Sequence, residues 1–427
     1  MVPEQPQPPR LARLRTLQFS TKLKHTNGDP VANLTKVEIE NLAGRKTLLK
    51  LQLNADVNVF WGPNGCGKTS LLKIIHSALW NQAVELARVP FKKATLEFFD
   101  NRDGQSFTRK LHKYNSLGAG ANVAGISDDE LATDVAERLN SDLLGEEVEK
   151  LKWTTTPHLR RGIPEFPHTY LPTSRIASSR LPQDRFRAGP GSRPERIDMQ
   201  DEAAFDRMFA EAIRRIWSMY SHRELVKISE IQERGIIDIL RAVIEREDFQ
   251  NLGGQVLDST RVAKAVTGFF QSGRFKISPD TLEKLLDNYS HDPVLQRVVA
   301  QITEIHRESE TAQEPTRKIQ ELLQDLFTGN KTVEFNQRRL SVRSGTTPIA
   351  LEYLSSGEKQ IMRLLLECLA AGNNPVIVDE PEISLHPDWQ LRLIESMRLV
   401  NPQAQLIVAT HSPEVMARLD DSKVFEL

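Results

Sequence analysis

Residues 57–72 read VNVFWGPNGCGKTSLL, which is a short apolar run, a glycine-rich turn and the beginning of a helical pattern. The turn fits the spacing G-x-x-x-x-G-K-[ST]. Glycines at these places let backbone N–H groups converge on phosphate oxygens, and the following helix adds its positive end. The sequence therefore predicts a nucleotide-phosphate site, whose residues are Gly62, Pro63, Asn64, Gly65, Cys66, Gly67, Lys68, Thr69 and Ser70.

Two side chains of this turn have separate expected roles. We expect Lys68 to reach the β- and γ-phosphates of ATP, and the hydroxyl of Thr69 to bind Mg²⁺. A chance glycine loop is the alternative explanation. Because the apolar run and the helix flank the turn in the order that phosphate binding requires, we favour the phosphate site.

A second motif, PVIVDE, occupies residues 375–380. Its apolar residues predict a buried strand, and two carboxylates follow at the carboxyl end, where open α/β sheets bind ligands. We expect Asp379 to hold the magnesium through water, and Glu380 to orient or deprotonate the attacking water. An ordinary strand end with two solvated acids is the alternative. Beside the phosphate loop, the catalytic interpretation is favoured.

A third motif, LSSGE, spans residues 354–358 and precedes a helical pattern. Ser355 can cap that helix, and Glu358 three residues later completes a capping box. The exposed helix start, with the Ser355 hydroxyl and the Gly357 amide, is also suited to an anion. One nucleotide does not need two phosphate sites in one chain. The second site is therefore expected to face the nucleotide of another protomer.

A fourth motif, THSP, closes an apolar strand at residues 410–413. A lone histidine is more often a structural hydrogen-bonding residue than a catalytic one. His411, however, directly follows a core strand, where it could contact the γ-phosphate and the attacking water. The serine and proline after it suit a turn that fixes its direction.

Together, GPNGCGKT, LSSGE, VIVDEPE and THSP resemble the ABC ATPase superfamily. Their variants are similar to the branch that holds the SMC, RecF and OLD proteins. DEPEISLHPDWQ and THSPEV resemble the OLD-like ATPases of bacterial anti-phage systems, such as the Septu ATPase subunit. The resemblance covers roughly residues 34–80 and 331–415 and leaves the middle half unmatched.

The resemblance implies an ATP hydrolase whose catalytic residues are Lys68, Glu380 and His411. It implies that Thr69 and Asp379 hold the magnesium ion. By the same resemblance, Ser355 and Gly357 contact the γ-phosphate of the partner protomer, so that a homodimer or higher homo-oligomer encloses ATP.

The resemblance also implies the fold class: an α/β ABC-ATPase head with a mostly parallel core sheet, an antiparallel β-subdomain and an inserted helical lobe. We divide the chain into a flexible N-terminal segment (1–33), the first part of the core (34–115), an inserted loop and helical lobe (116–330) and the second part of the core (331–427). The expected final strand is QLIVATH, residues 405–411.

Within the first half of the chain, residues 94–115 predict a hairpin that turns at Asp103–Gly104. Residues 164–197, rich in proline, glycine, serine and arginine, predict an extended loop. From Asp201, apolar residues at helical spacing predict helices too short and too interrupted for a long coiled coil. The first of these helices should bury one apolar face; its members are Phe205, Met208, Phe209, Ala212, Ile213, Ile216, Trp217 and Tyr220.

Three expected features of the superfamily lack a clear counterpart in the sequence. Serine at 356 and glutamate at 358 replace the glycine and glutamine usual in transporters, as is common in the OLD-like branch. In the superfamily, a glutamine from a loop joins the metal site, and Gln183 is only a weak candidate for it. Residues 172–175 (PTSR) stand where that loop is expected. No aromatic residue of the first strands is placed to stack on adenine.

Composition excludes several classes of protein. The chain has 427 residues with 56 basic and 57 acidic side chains, so no overall charge steers it to DNA or a membrane. Two cysteines without metal-type spacing exclude a disulfide scaffold. We find neither a signal peptide nor an apolar run near the roughly 20 residues that a membrane helix needs. A soluble, cytoplasmic protein with no membrane partner is expected.

The expected partner is a separate effector, a nuclease or toxin, because the chain ends shortly after His411 and shows no nuclease cluster. The ATPase would then be the sensor or scaffold subunit of an anti-phage complex. The alternative is a RecF-like or SMC-like repair ATPase that binds DNA. Six arginines and two acids between Pro172 and Arg196 leave nucleic-acid binding open. A transporter subunit is disfavoured by the large insertion.

Overall fold

The computed structural model describes residues 32–101, 104–113, 151–157, 165–173, 202–244, 259–272, 278–289, 291–327, 331–336 and 339–427. Three features singled out in the sequence lie outside these ranges: most of the N-terminal segment, Gln183 and the arginine-rich stretch from Arg175 onward. Within the described ranges the chain forms thirteen strands and eight α-helices.

The centre of the molecule is a parallel sheet of five strands. They are β3 (Val57–Trp61), β7 (Thr169–Leu171), β11 (Val376–Asp379), β12 (Leu406–Thr410) and β13 (Val424–Glu426). Their order across the sheet is β13-β3-β12-β11-β7, and every neighbouring pair is parallel. Strands from both ends of the chain thus lie side by side in one sheet.

Side chains of the central strands alternate between two hydrophobic cores. In β11, Val376 and Val378 pack into one core, whereas Ile377 between them packs into the other. Val408 and Ile407 of β12 divide in the same way. Because both faces of the sheet are covered, these strands are apolar along their whole length, as parallel strands usually are.

One face of the central sheet is covered by helix α1 (Lys68–Trp80) and by an antiparallel sheet. The strands of that sheet are β1 (Asn33–Glu40), β2 (Leu48–Gln52), β4 (Lys93–Asp100), β5 (Gln105–His112) and β6 (Thr154–Thr156). Their order is β2-β1-β4-β5-β6. The predicted hairpin is confirmed as the β4–β5 pair.

The other face is covered by helices and by a small antiparallel sheet. The helices are α6 (Ser356–Ala370), α7 (Pro387–Val400) and the short α8 (Pro413–Met416). The sheet has the order β10-β9-β8, formed by β8 (Lys331–Phe335), β9 (Leu340–Ser344) and β10 (Thr347–Ile349). The predicted α/β head, with a parallel core sheet and an antiparallel β-subdomain, is confirmed.

A helical lobe interrupts the sequence of this head. It consists of α2 (Glu202–Ile244), α3 (Ser259–Ser272), α4 (Pro279–Tyr289) and α5 (Pro293–Leu326). Two of these helices are far longer than the sequence suggested, with 43 residues in α2 and 34 in α5. A Cβ at Gly235 would overlap the side chain of Ile305 in α5, so this glycine permits close packing of the two helices.

The predicted apolar face at the start of α2 is confirmed by two residues in particular. Ile213 and Trp217 are buried in the same core as α6 and α7. The base of the lobe is therefore continuous with one core of the head. Among the described helices, none is both long enough and apolar enough to cross a membrane.

Two predictions about strands were wrong. Thr169–Leu171 was expected to belong to an extended loop, but it forms the edge strand β7 of the central sheet. A three-residue edge strand is too short for an alternating pattern to reveal it. The last strand of the sheet is β13, beyond the expected final strand, and it pairs with β3.

A buried amide joins the central sheet to the antiparallel sheet. Gln405 is fully buried, accepts from the Leu34 amide at 2.9 Å and donates to the carbonyls of Leu34 at 2.8 Å and Asn54 at 2.7 Å. Three backbone groups at the seam between the two sheets thus depend on one side chain. Each would be left without its partner if that side chain were removed.

We predict that Gln405→Ala lowers the free energy of unfolding by about 2–4 kcal/mol, because burying unsatisfied backbone groups is expensive. Denaturant unfolding followed by circular dichroism measures the change. Gln403→Ala is the matched control, since Gln403 is exposed two residues earlier. Equal stability of the two variants would contradict the structural role of Gln405.

Candidate functional site

The candidate site lies where strands of the central sheet end. The phosphate loop follows β3, Asp379 ends β11, His411 follows β12 and Thr173 lies two residues beyond β7. Because these strands are parallel, their carboxyl ends meet at one edge of the sheet, where α/β proteins bind ligands. The sheet thus brings together segments that are hundreds of residues apart in sequence.

The phosphate loop has the backbone shape that its glycines predict. Gly65 and Gly67 have φ angles of 81° and 105°, in the left-handed region that favours glycine. A Cβ at Gly67 would also lie 3.1 Å from the Cβ of Ala43. Lys68 is 5% exposed, and its ammonium group donates to the carbonyl oxygens of Gly62 at 2.6 Å and Pro63 at 3.1 Å. The loop thus holds a positive charge beside its amides.

The predicted metal ligands are in direct contact. The Thr69 hydroxyl donates to Oδ2 of Asp379 at 2.8 Å, and Thr173 also hydrogen-bonds this carboxylate. Burial raises the pKa of Asp379, and the hydrogen bonds from Thr69 and Thr173 offset part of that effect. Its other oxygen, Oδ1, is buried and has no hydrogen-bond partner among the described residues.

An oxygen donor set of this kind fits Mg²⁺. A hydroxyl and a carboxylate are hard ligands that magnesium prefers, and an unpaired buried oxygen would gain most from a cation. Thr69 and Asp379 would hold the ion together with nucleotide phosphates. A bound magnesium ion would neutralise negative charge on those phosphates.

The backbone at the predicted catalytic base is strained. Glu380 has φ +49°, which is unusual for a residue with a side chain and costs of order 1–3 kcal/mol. Its amide donates to the carbonyl of Ala409 at 2.8 Å, which fixes it to the end of β12. The side chain is 22% exposed, and its carboxylate lies 3.7 Å from Nδ1 of His411. The turn thus directs a partly exposed carboxylate toward His411.

A second acid, which the sequence analysis gave no role, lies behind His411. Glu382 is 4% exposed, and its Oε1 atom lies 3.1 Å from Nδ1 of His411. The same oxygen accepts hydrogen bonds from the Thr410 hydroxyl at 2.6 Å and the His411 amide at 2.9 Å. The second glutamate of the DEPE sequence was the only signal that could have indicated it.

The LSSGE segment forms the capping box that its sequence predicts, with Ser355 exposed and Gly357 buried. The Ser355 hydroxyl accepts from the Glu358 amide at 3.3 Å, and a Glu358 oxygen accepts from the Ser355 amide at 2.9 Å. This capping box begins α6. Gly357 is required by close packing, because a Cβ there would lie 2.8 Å from the carbonyl oxygen of Ser384.

The structure places the predicted residues in two groups. Lys68, Thr69, Asp379, Glu380 and His411 stand at the carboxyl ends of the central strands, where Thr69 contacts Asp379 and Glu380 lies 3.7 Å from His411. Among the described residues, Ser355 and Gly357 make no hydrogen bond to this group; they contact the cap of α6 and Ser384, in the turn that also carries Glu380.

Thr173 is a site residue that the sequence analysis did not identify as such. It stands in the loop after β7 that was suggested to replace the glutamine-bearing loop, and it hydrogen-bonds Asp379, the predicted metal ligand. The short strand before it gave too little pattern to position it.

A parallel sheet with a phosphate loop after β3 and paired carboxylates after β11, with β12 between the two strands, defines the class of the protein, a P-loop ATPase. The chain belongs to the family described as "AAA domain, putative AbiEii toxin, Type IV TA system", whose model matches residues 57–417. It is an ATP-hydrolysing member of that family.

Several known proteins are similar to the chain. The "Retron Ec83 probable ATPase" of Escherichia coli is 20% identical over 430 residues, which cover 92% of this chain and 70% of that protein. The "Septu protein PtuA" of Bacillus thuringiensis is 34% identical over 83 residues, 16% of this chain and 21% of PtuA. A solved Smc head domain from Pyrococcus furiosus is 13% identical with TM-score 0.37, covering 90% of this chain and 91% of that one.

We predict that Asp379→Asn stabilises the protein without nucleotide but abolishes its stabilisation by ATP with Mg²⁺. The pKa of Asp379 is higher in the folded state than in the unfolded state. At a pH above the folded-state pKa, the ionised carboxylate therefore lowers the free energy of unfolding. This destabilisation disappears at a pH below the unfolded-state pKa, where both states are protonated. Asparagine carries no charge at neutral pH. Thermal unfolding with and without ATP and Mg²⁺ measures both effects.

Asp388→Asn is the control, because the Asp388 side chain is 79% exposed. It should leave the unfolding midpoint and the nucleotide-induced shift nearly unchanged. A destabilised Asp379→Asn protein that still responds to ATP with Mg²⁺ would refute the proposed metal ligand.

Proposed function

We propose that this ATPase encloses ATP and Mg²⁺ between two protomers and that the closed dimer controls a separate effector of an anti-phage defence complex. The observation that carries the proposal is the presence of two anion-binding features in one chain. The phosphate loop adjoins Asp379, and no hydrogen bond or ion pair among the described residues joins it to the cap of α6. A second protomer would bring the two features together on one nucleotide.

In this dimer, each side chain has a defined task. Lys68 leaves its carbonyl partners for the β- and γ-phosphates, and Thr69 and Asp379 hold magnesium. Glu380 orients or deprotonates the attacking water, and His411 contacts the γ-phosphate. The neighbouring protomer supplies Ser355 and Gly357 at its helix start.

The surface around Ser355 supports a role in association. Tyr353, two residues earlier, is 83% exposed, the largest exposed fraction among the large hydrophobic side chains of the described residues. Tyrosine is enriched at protein interfaces, where it contributes much of the binding energy. A second protomer placed over Ser355 would cover this ring.

The LSSGE segment is also tied to the helical lobe. Lys359 of α6 lies 2.5 Å from Asp206 of α2, and Glu358 lies 2.6 Å from Lys331, in the strand that follows α5. Glu358 is 4% exposed, so its pairing with Lys331 is shielded from water. Movement of the α6 cap on dimer closure would therefore displace the base of the lobe. The lobe is the part of the chain that would hold or release the effector.

The defence role rests on similarity rather than on site geometry. The aligned relatives include an ATPase named for a retron and a protein named for the Septu system. The chain carries the residues for ATP hydrolysis, and within the described residues no cluster of three or more metal-ligating side chains provides a nuclease centre. A separate effector would supply the destructive activity.

We predict that Glu380→Gln forms a stable dimer with ATP and Mg²⁺ because it binds the nucleotide and cannot complete hydrolysis. Adding Tyr353→Arg to this protein should reduce dimer formation at least tenfold, because charged groups are desolvated at the interface. Sedimentation velocity over a range of protein concentrations measures association. Binding of ATP to the monomer should stay unchanged in both proteins.

Leu399→Arg in the Glu380→Gln background is the control, because Leu399 is another exposed apolar residue, 45% exposed, in α7. It should leave dimer formation intact. A Glu380→Gln protein that stays monomeric at every ATP concentration would contradict the proposed dimer. An equal loss of dimer formation in the Tyr353→Arg and Leu399→Arg variants would contradict the placement of Tyr353 in the interface.

We further predict that Glu380→Gln retains an effector protein in an ATP-dependent way. A pull-down from cells that express the products of the neighbouring genes, with and without ATP, tests this. Recovery of a nuclease or toxin-like protein supports the defence scaffold. Recovery of DNA with no protein partner would replace this proposal with the repair ATPase, and the arginines from Arg175 to Arg196 would then be the next residues to substitute.

A further inference from the structure

Glu382 makes contacts that exceed those of an ordinary loop residue. One carboxylate oxygen, Oε1, accepts from the Thr410 hydroxyl and the His411 amide and lies 3.1 Å from Nδ1 of His411. We infer that Glu382 is a positioning residue that fixes the ring direction and tautomer of His411 and keeps the ring away from Glu380. This inference rests on the proposed role of His411 at the γ-phosphate.

The tautomer follows from the close approach of the two groups. A carboxylate oxygen can only accept, so the 3.1 Å approach of Glu382 Oε1 favours a proton on Nδ1 of His411. In the neutral ring, Nε2 then has a lone pair, and no hydrogen bond joins Nε2 to another described residue. The His411 side chain is 45% exposed, so the ring is held from one side and remains accessible to a substrate on the other. Carboxylates orient imidazoles in this way in hydrolase triads.

Two carboxylates compete for the same ring nitrogen. Glu382 lies 3.1 Å from Nδ1 of His411, whereas Glu380 lies 3.7 Å from it. Without Glu382, the ring would be free to turn to Glu380 and form a closer bond with it. That bond would occupy the carboxylate proposed to act on water. Glu382 thus serves catalysis by satisfying Nδ1 so that Glu380 stays available.

Burial supports a specific role for Glu382. The side chain is 4% exposed, and its Oε2 atom is buried with no hydrogen-bond partner among the described residues. The bonds from Thr410 and the His411 amide need only one acceptor oxygen, so they do not explain the second buried oxygen.

The turn after β11 explains how this acid comes to lie under β12. The strained Glu380 at φ +49° reverses the chain direction, and Pro381 follows it. The Leu385 amide then donates to the Glu382 carbonyl at 2.9 Å, which closes the turn. The same turn therefore orients the base outward and the positioning acid inward.

The test is a cycle of wild type, Glu382→Gln, His411→Ala and the double variant, measured as steady-state ATP hydrolysis. We predict that Glu382→Gln lowers kcat roughly 10–100-fold, as is typical when an orienting carboxylate is lost, and changes KM less than about twofold. In the His411→Ala background the same change should have no further effect. Glu395→Gln, whose side chain is 72% exposed, is the control and should keep wild-type kcat.

Three outcomes would overturn the inference. The first is an equal loss of kcat from Glu382→Gln with and without His411. The second is a loss of kcat in Glu382→Gln but not in His411→Ala, and the third is wild-type kcat in both. A monomer that hydrolyses ATP while the two residues remain coupled would refute the proposed dimer and leave this inference standing.

A second measurement does not depend on how the variant folds. Nitrogen NMR of histidine-labelled wild-type protein, with the His411 signal identified from its loss in His411→Ala, reports which ring nitrogen carries the proton. We expect the proton on Nδ1 in the neutral ring. A proton on Nε2 would contradict the role of Glu382.

Discussion

The candidate site depends on one hydrogen bond, from the Thr69 hydroxyl to Asp379, which joins residues 310 positions apart at 2.8 Å. It can form only if strands from the two ends of the chain lie side by side, and β3 accordingly lies between β12 and β13. That arrangement is stabilised by the antiparallel sheet, by the hydrogen bonds of Gln405 at the seam between the sheets, and by the helices that cover the central sheet. The phosphate loop and the acid at the end of β11 therefore form one site only in the folded head.

The same edge of the sheet concentrates features that cost stability. The backbone is strained at Glu380, and buried oxygens of Asp379 and Glu382 have no partners among the described residues. Lys68 is buried with only carbonyl oxygens as acceptors. Strain and unsatisfied charge of this kind cluster at functional sites, where a substrate or ion completes the interactions. The two well-packed cores on either side of the sheet make this cost tolerable.

Much of this arrangement could be predicted from the sequence because the decisive motifs are local. Gly62 to Thr69 specify a turn by glycine placement, and the apolar run before Asp379 specifies a doubly covered strand. Thr173 and Glu382 were not assigned, because their roles arise from contacts with distant segments that no local pattern encodes. The 43-residue α2 was underestimated, because it packs along α5, as Gly235 does against Ile305, and no local pattern encodes that contact.

The central claim, that two protomers complete one ATP site, is tested most directly by mixing two inactive proteins. Lys68→Ala removes the phosphate-loop lysine, and Ser355→Arg blocks the cap of α6. A mixed dimer retains one intact loop facing one intact cap, so ATP hydrolysis should return on mixing to a sizeable fraction of the wild-type rate. A mixture as inactive as its components, although mixed dimers form, would contradict a shared site.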